Sequence, residues 1–451
     1  MAQAFGRRLT EGSIIKNIWV IAWPLTLSHL LLATYHVVDI YFVAKLGSAA
    51  IATVVMGGTV SNIIWMIMAG LGTSIRAMIS RFIGAREEKA AAEVAVQSLL
   101  LSLMLGVFIG ITGSLFARPI LVLLGAEPEV LQLGINYIRI IAIGEGLSTL
   151  LMHSGKAIVE AAGDAKTPMR ILIYSNIVNM ALLPILIFGW GPIPSLGVNG
   201  AALATILAES WGCLLFLRFL RSTTIGPEIF HSLRVKPDLI WRLTRIAFPR
   251  VLQRGLEVLA AVILIRIVAE FGTAAVAVYG IGFRLDLAFK SPGWGLGTAA
   301  DTLVGQSLGA QKPSRAEKSA WVVAGLYALL NAMVGLLFIF IPGKVMAFFS
   351  IDPEVIQLGI PYLQVMYWAF IFMAVGMVFE RSLGGAGDTV SPLVITGIGL
   401  MGLRIPLAFA LPHIMGLEVL GLWLAIALSY GAWGTAMALW FLRGGWKEKK
   451  I

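Results

Sequence analysis

PEVLQLGINY at residues 128–137 returns almost unchanged as PEVIQLGIPY at residues 353–362, a displacement of 225 residues. Further pairs keep this register or lie one residue from it: AKLGSAAIA at 44–52 with AEFGTAAVA at 269–277, and AGDAKTP at 162–168 with AGDTVSP at 386–392, displaced by 224. A register held across most of each half indicates that the chain is an internal duplication. Repetition of this kind determines the fold, because each copy must adopt the same architecture.

The composition indicates that this protein lies within a lipid bilayer. Of 451 residues 58% are hydrophobic and only 13% are charged, and the mean hydropathy is +0.88. Soluble domains do not have this balance. Residues 98–117 and 322–341 each form an uncharged run long enough to cross roughly 30 Å of hydrocarbon as a helix. Strand-like alternation is absent, so we predict an all-α integral membrane protein.

The charges follow the topology of the chain. Most lysines and arginines fall at one set of helix ends, whereas Lys45, Arg118 and Lys344 fall at the opposite ends. This positive-inside pattern predicts a multi-pass protein of the cytoplasmic (inner) membrane with both termini in the cytoplasm. The net charge of +10 is therefore attributed to topology and contact with membrane lipids, not to nucleic acid. We expect no removable signal peptide, because no small-residue cleavage site precedes the first helix.

Twelve transmembrane helices fit around the repeated landmarks, six in each half. The predicted spans are 15–42, 51–80, 90–117, 131–158, 167–189, 198–221, 240–268, 274–305, 316–342, 355–383, 391–412 and 418–443. The predicted domains are an N-lobe at 1–222, a cytoplasmic linker at 223–241 and a C-lobe at 242–451. An even number of helices per half predicts a parallel repeat of two pseudo-symmetric lobes.

Enzymes and passive scaffolds are the other classes to weigh. The sequence has no metalloprotease HExxH motif and no phosphate-binding P-loop, and its five histidines show no metal-ligand spacing. We therefore predict that the protein is not an enzyme and has no cofactor. A scaffold is disfavoured because acids such as Asp39 lie inside apolar spans, where a carboxylate needs a partner or a function.

The order of the motifs resembles that of the multidrug and toxic compound extrusion (MATE) family of the MOP flippase superfamily. The motifs are GDAKTP at 163–168, NIVNMALLPILIFG at 176–189, GVNGAALAT at 197–205 and TLVGQSLGA at 302–310. The resemblance covers nearly the whole chain. It implies two six-helix lobes forming a V, alternating access, and export of amphipathic, often cationic organic compounds in exchange for protons or sodium ions. We expect a monomer that binds such small compounds and no nucleic acid.

Three residues of the first helix match family positions. Asp39 matches the family's first-helix acid, Tyr35 the tyrosine one turn earlier, and Pro24 the proline at which that helix bends. Independently of the resemblance, Tyr35 and Asp39 are four residues apart and share a helix face. Pro24 cannot donate a backbone hydrogen bond, so it is a candidate hinge, with a static kink as the alternative.

The resemblance also assigns Asn179 and Thr205 to the coupling site. Together with Asp39 they offer oxygen ligands that suit a sodium ion. Many relatives carry an acid directly before the proline of the fifth helix, whereas this chain has Leu183 before Pro184. A proton needs only one carboxyl group, so we favour protons over sodium as the coupling ion.

Glu257 on the seventh helix resembles a glutamate found in several branches of the family. We assign it to ion coupling, and with Tyr35 and Asp39 to the substrate cavity. The alternative is a structural salt bridge with Arg254, three residues earlier on the same helix. A second alternative concerns the whole chain: a flippase for lipid-linked oligosaccharides or lipids has the same architecture, but favours cationic walls that hold pyrophosphate. A receptor or channel is a third class.

Overall fold

The computed structural model describes residues 9–227 and 234–449, except for the side chains of residues 32, 33, 35 and 36. Within these ranges the chain is helical, and its only β-type pairing is an isolated bridge between Trp190 and Ile193. The predicted all-α fold class is confirmed. Residues 228–233 of the predicted linker and both ends of the chain lie outside the described residues.

The helices of the first half follow the predicted order. They are α1 (Ile14–Ala44), α2 (Ser48–Ala85), α3 (Glu88–Leu115), the short α4 (Ala117–Leu123), α5 (Pro128–Ala161), α6 (Lys166–Phe188) and α7 (Val198–Arg221). Helix α5 contains one π-helical turn at Glu145–Thr149. Each of the six predicted spans corresponds to one long helix, with ends that differ by five residues or fewer.

The helices of the second half repeat that order. They are α8 (Pro237–Val268), α9 (Thr273–Gly309), α10 (Pro313–Phe340), the short α11 (Pro342–Phe349), α12 (Pro353–Gly385), α13 (Val390–His413) and α14 (Glu418–Leu442). Helix α13 also contains a π-helical turn, at Ile398–Arg404. The short helices α4 and α11 were not predicted, although they occupy equivalent places in the two halves.

In the part of the chain that the structure describes, ten helices are long and apolar enough to cross a membrane. The two other long helices, α8 and α9, open the second half. They carry charged side chains along their length, including Arg250 and Glu257 on α8 and Asp286 and Lys290 on α9. Charged groups in a transmembrane helix face protein interior and pair with one another. The contacts of these four residues, described below, follow that rule.

The repeated AGD motif is a joint between helices. Gly163 and Gly387 both have a positive φ, 88° and 82°, which ends the preceding helix in a conformation that favours glycine. The following aspartates cap the next helices. Asp164 accepts hydrogen bonds from the backbone amides of Lys166 (3.0 Å) and Thr167 (3.1 Å), and Asp388 accepts one from Ser391 at 3.4 Å. The motif therefore recurs because both halves need the same turn.

The described chain divides into two compact units. Unit 1 contains Leu27–Ala247, and unit 2 contains Leu9–Thr26 with the chain from Phe248 onward. Helix α1 therefore begins in unit 2 and ends in unit 1, whereas α8 begins in unit 1 and ends in unit 2. Pro24 and Pro249 lie within three residues of these two changes.

The segments before α1 and α8 are fixed by hydrogen bonds. In unit 2, Arg315 donates to the backbone carbonyls of Leu9, Glu11 and Gly12 at 3.0–3.1 Å, and Gln306 accepts from the Leu9 amide at 3.0 Å. In unit 1, Gln97 donates to the carbonyl of Arg234 at 2.8 Å and accepts from the amide of Lys236 at 2.9 Å. The side chain of Lys236 also pairs with Glu93 at 2.7 Å.

Candidate functional site

Asp39 lies on α1, in the part of that helix that belongs to unit 1. Its Oδ1 atom is buried and has no hydrogen-bond partner among the residues the structure covers. Tyr35 precedes it by one turn of the same helix, and the side chain of Tyr35 lies outside the described residues. A buried carboxyl oxygen without a partner inside an apolar helix is costly, which agrees with the expectation that Asp39 has a function.

Glu145 is a second buried acid in unit 1. It opens the π-helical turn of α5, and its Oε1 atom accepts a hydrogen bond from the Ser61 hydroxyl of α2 at 3.1 Å. Its Oε2 atom is buried with no hydrogen-bond partner in the described part of the chain. Single π-helical turns occur frequently at functional sites, because they change the direction of side chains within a helix.

Glu209 of α7 is the third acid of this group, and it accepts a hydrogen bond from the hydroxyl of Thr149, the last residue of the π-helical turn. Asp39, Glu145 and Glu209 are close enough to interact electrostatically. We call these three residues the acid cluster. Over residues 9–227 and 234–449, no lysine or arginine forms a salt bridge with any of them.

Close packing between α3 and α5 holds the π-helical turn. A Cβ atom added to Gly106 would collide with the backbone carbonyl of Gly146, and one added to Gly146 would meet the carbonyl of Gly106 at 2.7 Å. Small residues allow transmembrane helices to approach this closely. Ser148, also in the turn, donates its hydroxyl to the carbonyl of Gly144 at 2.7 Å. The turn that presents Glu145 therefore has little room to move.

Asn179 and Thr205, the other predicted members of the first-unit site, lie on α6 and α7 of unit 1. Asn179 is fully buried, and Thr205 is partly buried with its hydroxyl donating to the carbonyl of Ala201 at 3.3 Å. Asn176, one turn before Asn179, donates to the carbonyl of Leu31 at 3.4 Å and so links α6 to α1. The predicted residues thus share one unit, and a sodium site formed by Asp39, Asn179 and Thr205 stays a prediction.

A separate charged group lies farther along α5. Glu160 pairs with Arg76 at 3.5 Å and with Lys156 at 3.7 Å. Nearer the acid cluster, the Nδ1 atom of His153 lies 3.0 Å from the carbonyl of Thr149, and its ring packs against Trp65. The charge of Glu160 is therefore offset by bases of α2 and α5.

Glu257, the predicted site residue of unit 2, is paired. Arg254 donates to its Oε2 atom at 2.6 Å, which is the salt bridge weighed as an alternative from the sequence. Gln253 links this pair to α13 by donating to the Thr396 hydroxyl at 3.0 Å. Beside it, the buried residues Arg250 and Glu380 form a second salt bridge. Glu257 therefore belongs to a network in which each acid has a base, and its role in ion coupling stays a prediction.

A second group of polar side chains in unit 2 joins α9, α13 and α14. Lys290 donates to Asp286 at 2.7 Å and to the Tyr430 hydroxyl at 3.1 Å, and Tyr430 donates to Asp286 at 3.0 Å. The guanidinium carbon of Arg404 lies 4.3 Å from the centre of the Tyr430 ring, and its Nε atom donates to Ser429 at 2.7 Å. We call Asp286, Lys290, Arg404 and Tyr430 the basic cluster.

Two residues of unit 1 align in the repeat with two members of the basic cluster. Ser61, the partner of Glu145, corresponds to Asp286 at a displacement of 225. Glu209 corresponds to Tyr430 at a displacement of 221, in the register that aligns Gly200 of α7 with Gly421 of α14. The shorter displacement arises because the connection before α14 is shorter than the one before α7. The two aligned positions thus hold a hydroxyl and an acid in unit 1 and an acid and a hydroxyl in unit 2, whereas Lys290 and Arg404 correspond to the uncharged residues Trp65 and Met180.

The structure adds site residues to those predicted from the sequence, chiefly Glu145 in the acid cluster and Arg404 in the basic cluster. Glu145, Glu209 and Arg404 are not among the site residues predicted from the sequence. The available signal was the position of Glu145 and Arg404 inside otherwise apolar spans. No group of three or more His, Cys, Asp or Glu side chains that could hold a metal ion is present in the described ranges.

Comparison with known proteins gives a consistent result. A family model described as MatE matches residues 24–185 and 249–410, one match in each half. A "Probable multidrug resistance protein YoeA" of Bacillus subtilis (strain 168) is 25% identical over 99% of this chain and 97% of its own length. A "FAD transporter" of Shewanella oneidensis is 28% identical over 94% of this chain and 93% of its own.

Solved structures share the fold. The structure described as the "outward-facing conformation of a multidrug resistance MATE family transporter of the MOP superfamily" superposes with a TM-score of 0.89 at 24% identity. The superposition covers 100% of both chains.

Proposed function

The chain belongs to the MATE family of multidrug efflux transporters, which are not enzymes, and we propose that it is a secondary active antiporter exporting amphipathic, often cationic organic compounds. The observation that carries this proposal is the acid cluster of Asp39, Glu145 and Glu209. A compound with a positive charge and an apolar body is complementary to three carboxyl groups in an apolar helix bundle.

The acid cluster also supports coupling to an ion. Three ionised carboxylates without a basic partner would place three negative charges within the membrane interior, which is unfavourable unless protons or a cation offset them. Bound substrate and bound ion therefore compete for the same negative charge. Competition of this kind makes exchange obligatory, because one must leave before the other binds.

We favour protons as the coupling ion and Asp39 as the residue that carries them. Leu183 stands where many relatives have an acid, and it is fully buried in unit 1, so it adds no ligand for sodium. The buried Oδ1 atom of Asp39 is unoccupied by hydrogen bonds from the residues described and can take up a proton. Protonation of one carboxyl group requires no ring of ligands, whereas sodium does.

The names of the relatives support the proposal that this chain exports compounds of more than one chemical class. The relative from B. subtilis is named a probable multidrug resistance protein, and the relative from S. oneidensis is named a FAD transporter. We take from the second name that aromatic compounds with phosphate groups belong among the compounds to test. The alternative in the same superfamily, a flippase for lipid-linked oligosaccharides, is tested by measuring which of two compounds, a lipid diphosphate or a cationic dye, the protein moves across the bilayer.

The decisive experiment uses the purified chain in sodium-free proteoliposomes loaded with a fluorescent cationic dye. Efflux is measured after a pH gradient is imposed, and separately after a sodium gradient is imposed at equal pH. We expect the pH gradient alone to drive efflux. Efflux that occurs only with external sodium would contradict proton coupling, and no efflux of any dye under either gradient would contradict the antiporter.

A further inference from the structure

Arg404 is an intramembrane charge whose protein contacts leave its positive charge uncompensated. It lies on α13, at the end of the π-helical turn Ile398–Arg404. In the described part of unit 2, no acidic side chain forms a salt bridge with it. Its one hydrogen bond goes from Nε to the neutral hydroxyl of Ser429. Arginine inside a membrane span is rare and normally marks a functional site or a paired charge.

The neighbours of Arg404 do not supply the missing negative charge. Asp286 is the acid of the basic cluster, and both its oxygens are engaged, Oδ2 by Lys290 and Oδ1 by Tyr430. The charges of Lys290 and Arg404 minus that of Asp286 leave a net charge of +1 for the cluster. Arg404 also interacts electrostatically with Tyr279 and Tyr362, and neither of these is an acidic residue.

Two contacts fix the guanidinium of Arg404, and its two terminal nitrogens form no hydrogen bond with the described residues. Stacking on the Tyr430 ring at 4.3 Å and the 2.7 Å bond to Ser429 hold two sides of the group. Tyr430 is held in turn by Asp286 and Lys290 through its hydroxyl. The two terminal nitrogens of a guanidinium form a planar fork that matches two oxygens of a phosphate group. Because neighbouring side chains already position the guanidinium, it loses little conformational entropy when it binds a phosphate group.

We propose that the basic cluster of unit 2 is a binding site for the phosphate group of an amphipathic compound, with Arg404 as the residue that contacts the phosphate. The site rests on the transport function proposed above but is a separate binding element, since the acid cluster of unit 1 would repel an anion. The phosphate belongs either to a soluble organic phosphate or to the headgroup of an anionic lipid.

The test measures binding at equilibrium, so it does not depend on efflux or on the coupling ion. Riboflavin and flavin mononucleotide share the same fluorescent ring and differ by one phosphate group. Each is titrated against the full-length protein in phosphatidylcholine nanodiscs. We expect flavin mononucleotide to bind the native protein more tightly than riboflavin, and inorganic pyrophosphate to displace it.

The Arg404→Gln variant should weaken binding of flavin mononucleotide by roughly 10- to 100-fold and leave riboflavin unchanged, because charged hydrogen bonds to one group are lost. Arg404→Lys keeps the charge but lacks the planar fork. Its affinity for flavin mononucleotide should therefore lie between those of the native protein and of Arg404→Gln. Arg284→Gln is the matched control: Arg284 lies on α9, is exposed, and makes no hydrogen bond or ion pair with described residues. It should bind both flavins as the native protein does.

A purely structural role of Arg404, joining α13 to α14, predicts a different result. Both flavins would then weaken together in Arg404→Gln, and this would overturn the proposal. Equal binding of the two flavins to the native protein would overturn it as well, without any variant. Nanodiscs containing phosphatidylglycerol separate the two sources of phosphate: loss of flavin mononucleotide binding there assigns the site to a lipid headgroup, and unchanged binding assigns it to a soluble phosphate.

Discussion

Ser61 and Asp286 stand 225 residues apart at the same position of the two repeats, and each anchors the polar cluster of its own unit. Ser61 donates to Glu145 at 3.1 Å, whereas Asp286 accepts from Lys290 at 2.7 Å and from Tyr430 at 3.0 Å. This position of the duplicated backbone therefore carries a hydroxyl donor in one copy and a carboxylate acceptor in the other. Unit 1 presents acids without basic partners, and unit 2 presents a base in excess.

Asp39→Asn should abolish efflux driven by a gradient and leave the protein folded. The amide is nearly the same shape as the carboxyl group but cannot carry the proton or attract a cation. Dye efflux from proteoliposomes measures the loss, and the elution profile from size-exclusion chromatography measures folding. Glu129→Gln, which removes an exposed acid at the start of α5, is the control. Efflux that is undiminished in Asp39→Asn would exclude Asp39 from the mechanism.

Glu145→Gln and Glu209→Gln should each weaken binding of a cationic dye by roughly 3- to 30-fold, because each removes one negative charge from the acid cluster. A neutral dye of similar shape should bind as before. Fluorescence polarisation of the two dyes with purified protein measures both effects. Equal weakening for the neutral dye would mean that the two acids shape the helices rather than attract the cation.

Gly106→Ala should destabilise the protein by about 1–3 kcal/mol, because the new methyl group collides with the carbonyl of Gly146 at the π-helical turn. Gly58→Ala on α2 is the matched control, since nothing lies within 4 Å of a Cβ atom there. Thermal unfolding of both variants in detergent micelles gives the comparison. If both variants unfold at the same temperature, α3 and α5 do not pack tightly at Gly106.

Arg250→Met should destabilise unit 2 by about 3–5 kcal/mol, because it leaves the buried carboxylate of Glu380 without its partner. The double variant Arg250→Met with Glu380→Leu should recover most of the loss, since neither charge then remains buried. Thermal unfolding measures the stability of the single and the double variant. A double variant no more stable than the single one would show that Glu380 is compensated by other groups.

Pro24→Ala should slow efflux several-fold without changing dye affinity, if α1 bends where it passes from unit 2 to unit 1. Pro361→Ala is the control, because Pro361 also lies inside a helix but the whole of α12 belongs to unit 2. Efflux rates and equilibrium binding are measured on the same preparations. A rate equal to that of the native protein would identify Pro24 as a static kink.

The sequence predicted the helices well because the signals were local and repeated. Long apolar runs and the AGD joints place each end within a few residues, and every landmark occurs twice. The π-helical turns were not predictable in this way. The residues of Glu145–Thr149 include no proline, and the turn depends on the approach of Gly106 from another helix.

Asp39 was predicted as a site residue both from its place inside an apolar span and from the family resemblance. Glu145 depends on Ser61, a residue 84 positions earlier, and Arg250 depends on Glu380, a residue 130 positions later. Pairings at such distances are set by the packing of helices and leave no trace in local sequence. Glu145 and Glu209 are not among the site residues predicted from the sequence, and their part in the site is a proposal from the structure.

The exchange of helix ends between the units bears on how the chain can be divided. Residues 9–26 complete unit 2, and residues 234–247 complete unit 1. A cut in the segment that joins the two halves of the sequence would therefore leave each half without the opening segment of its own unit. Neither half, expressed by itself, is then a complete folding unit.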